Sequence, residues 1–242
     1  MKHETIEVGL EFRNGEVDRV VGAFVTLPLP LRPSYFSHDE KIRSDADQIK
    51  DKKRFTEFLA KSHSGFILSG NGVTYSIRIA SRRSTICDCF IDLEPEDVPK
   101  FMVHMSSARP LFGFACAPGE RERRNRLTLR LQDKYTVEAW VGRDLRTRIP
   151  GFYWLTLMSD TLARQHVIPL STVEQFSITH LKLEDGQHLF QFYERPDDWA
   201  RTANVAELCA SLPGVFDIEK VRPQALTVTS ILQMNSLLDQ WK

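Results

Sequence analysis

The sequence predicts an α+β fold: mainly antiparallel sheet(s) with interspersed helices packed on them. Three observations carry that expectation. Strand-like segments come in groups, not in strict alternation with helical ones; turn residues join neighbours within a group; and amphipathic stretches of helical period stand between groups.

Residues 5–12 (Thr-Ile-Glu-Val-Gly-Leu-Glu-Phe) alternate apolar and polar side chains, and a β-branched run at 19–27 follows Asn14-Gly15. Together they predict an opening β-hairpin. Pro28, Pro30 and Pro33 remove backbone donors, so an extended connector follows, and the polar residues 39–47 are expected to be mobile. Ile49, Phe55, Phe58 and Leu59 fall largely on one face of a helix over 48–62. Strands at 65–69, 73–80 and 84–91 form a meander, with Gly70-Asn71-Gly72 supplying the left-handed positions of a reversal.

Pro95 opens a helix reaching Ser107, whose buried stripe is Val98, Phe101, Met102 and Met105. Further strands are expected at 111–116, 126–132 and 135–141, the last pair turning at Asp133-Lys134. An apolar stretch from Phe152 to Met158 leads to a short helix through His166, capped by Ser159 or Asp160. Beyond Pro169 the pattern reads as strands near 177–183 and 188–193, a helix near 197–211, a strand at 215–221 and a final helix near 227–241.

Hydrophobic residues make up 42% of the 242, ample for a large core. The expectation is one domain over 1–242, with 118–150 as the region where it would divide into two similar-sized α+β halves. Lys plus Arg and Asp plus Glu number 32 each, so no global positive field exists to hold a polyanion, and direct nucleic-acid binding is not expected. Met1-Lys2-His3-Glu4 leads into an alternating segment without the apolar stretch of a signal peptide or membrane span. A cytoplasmic protein without membrane contact is the expectation.

Four cysteines, Cys87, Cys89, Cys116 and Cys209, are sparse for this length and suit reduced, buried thiols. Cys87 and Cys89 share one face of a strand, and structural zinc commonly needs a second such pair; with Cys116 and His104 as the only candidates to complete a set, no metal is expected. His104 and His166 fall on predicted helices without the sequence context of an activated nucleophile, and Gly70-Asn71-Gly72 lacks the spacing and lysine of a phosphate loop. No catalytic residue and no cofactor are therefore expected.

Charge and aromatic patterning direct attention to binding instead. Asp88, Asp92, Glu94, Glu96 and Asp97 occupy a stretch, Thr85 to Pro99, with no basic residue. Acids at a helix start explain part of it; the functional reading is a decoy surface for a basic nuclease groove. Residues 120–148 hold nine basic side chains against five acids, whereas 171–242 hold six against ten. Such polarity suits a two-signed partner surface or a homodimer as well as a mixed solvated surface. Aromatics are densest in Trp140-Val-Gly-Arg-Asp144 and Ile149-Pro-Gly-Phe-Tyr-Trp-Leu-Thr156, where core packing competes with a role for Trp140, Arg143 and Trp154 as interface anchors.

These segments, with Phe66-Ile-Leu-Ser-Gly70, Tyr75-Ser-Ile77, the cysteine strand at 87–89, Phe112-Gly-Phe-Ala-Cys116, Glu122 with Arg124-Asn125, and Pro196-Asp-Asp-Trp199, resemble immunity-protein family fifty-two of bacterial polymorphic-toxin and type VI secretion systems. The resemblance covers roughly residues 65–216, and its most specific element is the proline-glycine-aromatic-Tyr-Trp block. It implies a protein that neutralises a cognate effector toxin, a DNase of restriction-endonuclease-like fold, by stoichiometric binding. It transfers no catalytic residue. Two other readings follow for comparison: an adaptor or chaperone that would also touch a secretion spike component, and a hydrolase using His104 or His166 with a cysteine.

Overall fold

The computed structural model describes residues 5–39, 47–70, 72–79, 84–91, 94–131, 135–201 and 203–241, with the backbone alone at 84, 85 and 89–91. The fold is α+β. Its centre is an antiparallel sheet of nine strands among the described residues, built from β1 (Ile6–Arg13), β2 (Tyr35–Ser37), β3 (Gly65–Ser69), β4 (Val73–Ile79), β5 (Ser84–Ile91), β6 (Phe112–Cys116), β9 (Leu155–Ser159), β10 (Thr179–Lys182) and β11 (Gln187–Gln191). Strand order is β10-β11-β9-β6-β1-β5-β4-β3-β2. β7 (Arg126–Leu131) and β8 (Tyr135–Trp140) make a separate two-stranded ribbon.

β1 runs down the middle, paired to β5 on one side and β6 on the other. Its alternation gives the sheet two chemically different faces. Ile6, Val8, Leu10 and Phe12 point to one side and are buried. Helices α1 (Val17–Val25) and α3 (Val98–Ser106) cover that side, where Phe24, Tyr75 and Phe101 pack ring against ring at 4.5–6.4 Å. Glu7, Gly9 and Glu11 point to the other side, opposite Cys116, Phe114 and Phe112 on β6.

α1 replaces the strand expected at 19–27. Val17, Val20, Val21, Phe24 and Val25 recur at helical spacing, and Val20, Val21, Ala23 and Phe24 are buried, so burial of one stripe outweighs β-branched propensity. α2 (Lys52–Lys61) begins later than expected because the Asp51 carboxylate accepts from Arg54 N–H at 3.1 Å, and Phe55 and Phe58 pack on Phe36 of β2. The stretch at 39–47 lies mostly outside the described residues, as do Asn71 and the Asp133-Lys134 turn. α3 buries the expected stripe of Val98, Phe101, Met102 and Met105.

Three further elements lack an obvious hydrophobic period: β2, α4 (Pro118–Asn125) and α6 (Leu170–Phe176). Between α4 and α6, α5 (Asp160–Gln165) follows β9, with Ser159 Oγ accepting from Leu162 N–H at 3.2 Å as its cap. The helix expected at 197–211 is two pieces, a 3-10 turn at Pro196–Ala200 and α7 (Asn204–Ser211). The strand expected at 215–221 is absent: Val215 makes one bridge to Ile149, after which the chain turns through Ile218–Lys220 into α8 (Arg222–Ala225). α9 (Ile231–Gln240) starts at a Ser230/Gln233 capping box, four residues inside the expected boundary.

Two cores result. The main one joins the sheet to α1, α3, α5 and α7; the second gathers Leu127, Leu129, Leu131, Val141, Phe216, Ile218, Val221, Val228 and Leu237 under the ribbon. Strands from both sides of 118–150 enter the main sheet, so the first core draws on both halves of the chain.

Gly142 sits at the junction, with φ +69 and its N–H donating to Trp241 O at 2.7 Å. A Cβ there would stand 2.2 Å from Phe216 Cγ. Gly142→Ala combines a left-handed backbone with that overlap and is expected to cost about 2–4 kcal/mol in denaturant unfolding; an unchanged midpoint would show that the second core yields freely.

Candidate functional site

α4 is a helix with almost no apolar side chain, and its sequence explains why it forms. Pro118 occupies the first turn, Glu120 lies near the positive end, and Arg123 and Arg124 lie in the last turn, each favourable for the backbone dipole. What it buries is polar. Glu120 is 0% exposed, accepts from Arg124 Nε at 2.9 Å and from Trp154 N–H at 3.3 Å. Asn125 donates to Val141 O and Pro150 O, both at 3.1 Å, and its Oδ1 accepts from Tyr153 Oη at 2.6 Å. Arg121, one position on from Glu120, faces the sheet and pairs with Glu7 of β1.

A cleft of about 450 Å³ opens beside this helix, on the side of the sheet opposite α1 and α3. Gly9, Phe112 and Phe114 contribute its floor, and the Phe114 ring occupies the space a Cβ at Gly9 would need. Arg78 and Asp88, paired across β4 and β5, form one wall. Trp140 at the end of β8, with Arg143, Asp144 and Arg146 just after it, forms the other. Glu11 of β1, Gln165 and Leu162 of α5 and the ring of Tyr153 add to the lining.

Trp140 is 37% exposed, with the Arg121 guanidinium 4.9 Å and the Arg143 guanidinium 5.7 Å from its ring centre. Arg121 also lies over Phe114 at 5.1 Å. Both geometries are cation–π contacts. Loss of water inside the cleft lowers the proton affinity of Arg143, and the like charge of Arg78 adds to it, while Asp88, Tyr153 and Glu11 oppose the change. Burial lowers Arg121 in the same way. Asp144 holds Arg146 through Nε at 2.8 Å.

Three residues singled out in the sequence thus meet in one place: Asp88, Trp140 and Arg143. The others do not join them. Glu94, Glu96 and Asp97 ride the turn that starts α3, outside the cleft lining, where Asp97 pairs with Lys100 at 2.8 Å. Asp92 lies outside the described residues. Trp154 is 1% exposed and packed in the main core, which removes it from any contact surface of this fold. Sequence reasoning gives Arg78 and Phe114 no place in the site. Their only signal is strand alternation, which puts Arg78 on the same face as Asp88 and Gly9.

The residues considered for metal or catalytic roles are dispersed. Cys87 pairs with Leu10 and Cys116 with Glu7, so the two buried thiols face opposite sides of the sheet. His104 Nε2 lies 3.0 Å from Ala23 O, and His166 Nε2 lies 2.7 Å from Leu145 O. Burial pushes the Cys116 thiol well up, which disfavours a nucleophilic thiolate. Among the described residues no group of three or more His, Cys, Asp or Glu side chains is arranged to hold a metal ion. A chain of polar contacts, Glu174–His180–His188–Asp160 at 3.3, 2.9 and 2.9 Å, braces α5 and α6 to the far edge of the sheet.

Comparison with protein-family models, curated proteins and solved structures finds no match to this chain. No helix among the described residues is long and apolar enough to cross a membrane.

The buried pair on α4 has a definite pH signature. Burial pushes Glu120 above the usual carboxylate range, although Arg124 pulls the other way; burial alone would lower Arg124, yet Glu120, Cys209 and Tyr193 hold it firmly charged. Arg124→Met removes the cation and leaves a buried carboxylate, at an expected cost of about 3–5 kcal/mol near neutral pH. Its folded form then binds more protons than its unfolded form above the ordinary carboxylate range, so this variant recovers stability as pH falls from 7 towards about 5. Urea midpoints measured across that window check the sign; a variant that loses further stability on acidification contradicts it.

Proposed function

We propose that this chain is an immunity protein that binds and neutralises a cognate nuclease effector of a type VI secretion system by stoichiometric association. The single observation that supports a binding role best is the cleft, which combines an exposed Trp, four arginines and three further aromatic rings beside the central sheet. Trp, Tyr and Arg are the side chains that most often dominate association energy when they line a pocket at the centre of an interface. The resemblance of residues 65–216 to immunity-protein family fifty-two supplies the class of partner, a DNase of restriction-endonuclease-like fold.

In this reading Trp140 and Arg143 are the anchors of an interface burying on the order of 1,600 Å². Their preset stacking reduces the side-chain entropy lost on association. Glu94 and Glu96, exposed away from the cleft wall, add long-range attraction towards a positively charged nuclease groove. Inhibition follows from occupancy: the bound protein covers the toxin's metal-dependent site or blocks an assembly it needs.

Co-expression with the cognate effector, which this reading expects to be encoded beside it, followed by copurification and a DNA-degradation assay, tests the proposal. Activity should fall to zero at a fixed molar ratio; absence of a complex, or protection at strongly sub-stoichiometric amounts, rejects it. Trp140→Ala is expected to weaken the complex by about 2 kcal/mol or more, roughly thirtyfold, chiefly through faster dissociation. Glu94→Gln with Glu96→Gln should instead slow association at low salt, an effect that disappears at high ionic strength; surface-resonance kinetics separate the two.

A further inference from the structure

Charge pairing within the cleft is unequal. Arg78 is paired with Asp88, Arg121 with Glu7, and Arg146 with Asp144. Arg143 is the fourth arginine, and among the described residues no carboxylate lies within 4.0 Å of it. It meets the face of Trp140, and Asp88 and Glu11 attract it from beyond contact distance. Asp144, its neighbour in sequence, is turned to Arg146.

We infer that the cleft receives a carboxylate-bearing, extended segment of a protein partner, and that Arg143 is the residue that takes the carboxylate. The inference rests on the partner-binding reading above and names the chemistry of what enters. Any group that covers the cleft strips the remaining water from Arg143. An apolar segment would leave that cation buried with Asp88 and Glu11 acting only from beyond contact distance, which is costly. A cationic segment would meet Arg143 as a like charge, while the other three arginines already hold the carboxylates beside them. An aspartate or glutamate offers the planar pair of oxygens that a guanidinium fork binds through two hydrogen bonds, and Trp140 already holds that fork by its face. The floor of Gly9, Phe112 and Phe114 receives the apolar neighbours of the carboxylate. At about 450 Å³ the space suits a few side chains of one segment. A polyanion such as single-stranded DNA fits less well, because three of the four arginines already carry carboxylates.

The test needs no identified partner. A random heptapeptide library displayed on phage is selected against the full-length chain and against Arg143→Gln, after thermal unfolding has shown that the variant is folded. Peptides selected by the unsubstituted chain should concentrate Asp or Glu at one position beside apolar residues. A synthetic copy should bind roughly tenfold or more tightly than its Asn or Gln counterpart, and Arg143→Gln should erase that difference. Selection without acidic enrichment, acidic preference that survives Arg143→Gln, or tighter binding of a fluorescent single-stranded oligonucleotide than of the acidic peptide overturns the inference. Neutralisation of a toxin without this peptide preference sinks the carboxylate site and leaves the immunity reading standing. The converse result does the opposite.

Discussion

Glu120 is a carboxylate with no solvent exposure, and its cation is Arg124, one helical turn away on α4. Much of the cleft's geometry depends on that pair. Through Glu120 the helix grips the backbone N–H of Trp154; through Asn125 it ties Val141 and Pro150 together; through Arg121 it reaches the central strand at Glu7. Three side chains of one short helix therefore connect the nine-stranded sheet, the ribbon and the segment between them. Buried ion pairs add little net stability over apolar replacements of similar shape, but breaking one is expensive. An arrangement of this kind fixes a unique docking geometry more than it deepens the energy minimum.

The docking geometry is what makes a cleft. Sheet and ribbon are each amphipathic, and two apolar cores absorb their inner faces. Beside α4, arginines and carboxylates line a cleft over β1, where the Phe114 ring lies against Gly9. Trp140 projects from the last residue of β8, immediately before Val141 whose N–H is held by Asn125 O at 2.8 Å. The rigidity of the anchor thus comes from the same helix that walls the site. A binding surface gains from such preorganisation because less side-chain freedom is lost when a partner arrives.

Much of this was legible in the residues. The meander at 65–91, the α3 stripe, the Ser159 cap and the ribbon strands follow directly from alternation, periodicity and capping chemistry. α1 was misread because five β-branched or aromatic residues at helical spacing carry two signals at once, and only the packing against α3 decides between them. α4 left no hydrophobic signal at all, since its buried face is Glu120, Arg124 and Asn125; Pro118 and the acid-first, base-last order were the marks it did leave. The site shows the same division. Trp140, Arg143 and Asp88 stand out by composition, but Trp154 shares their sequence context and is core, and nothing in a linear reading brings Arg78 to the same wall. Pairing register, which sets that wall, is a long-range property.

The central claim is that α4 locks sheet and ribbon into one cooperative unit around the cleft. Native-state hydrogen exchange under increasing denaturant tests it most directly, read at the amides of Val141 and Trp154 and at the central strand residues Val8 and Leu10. All four should merge into one global opening with a common free energy and a common denaturant dependence. Exchange at Val141 through a smaller, separate opening that leaves Val8 and Leu10 protected would contradict it, and would make the cleft a seam between two independently stable parts.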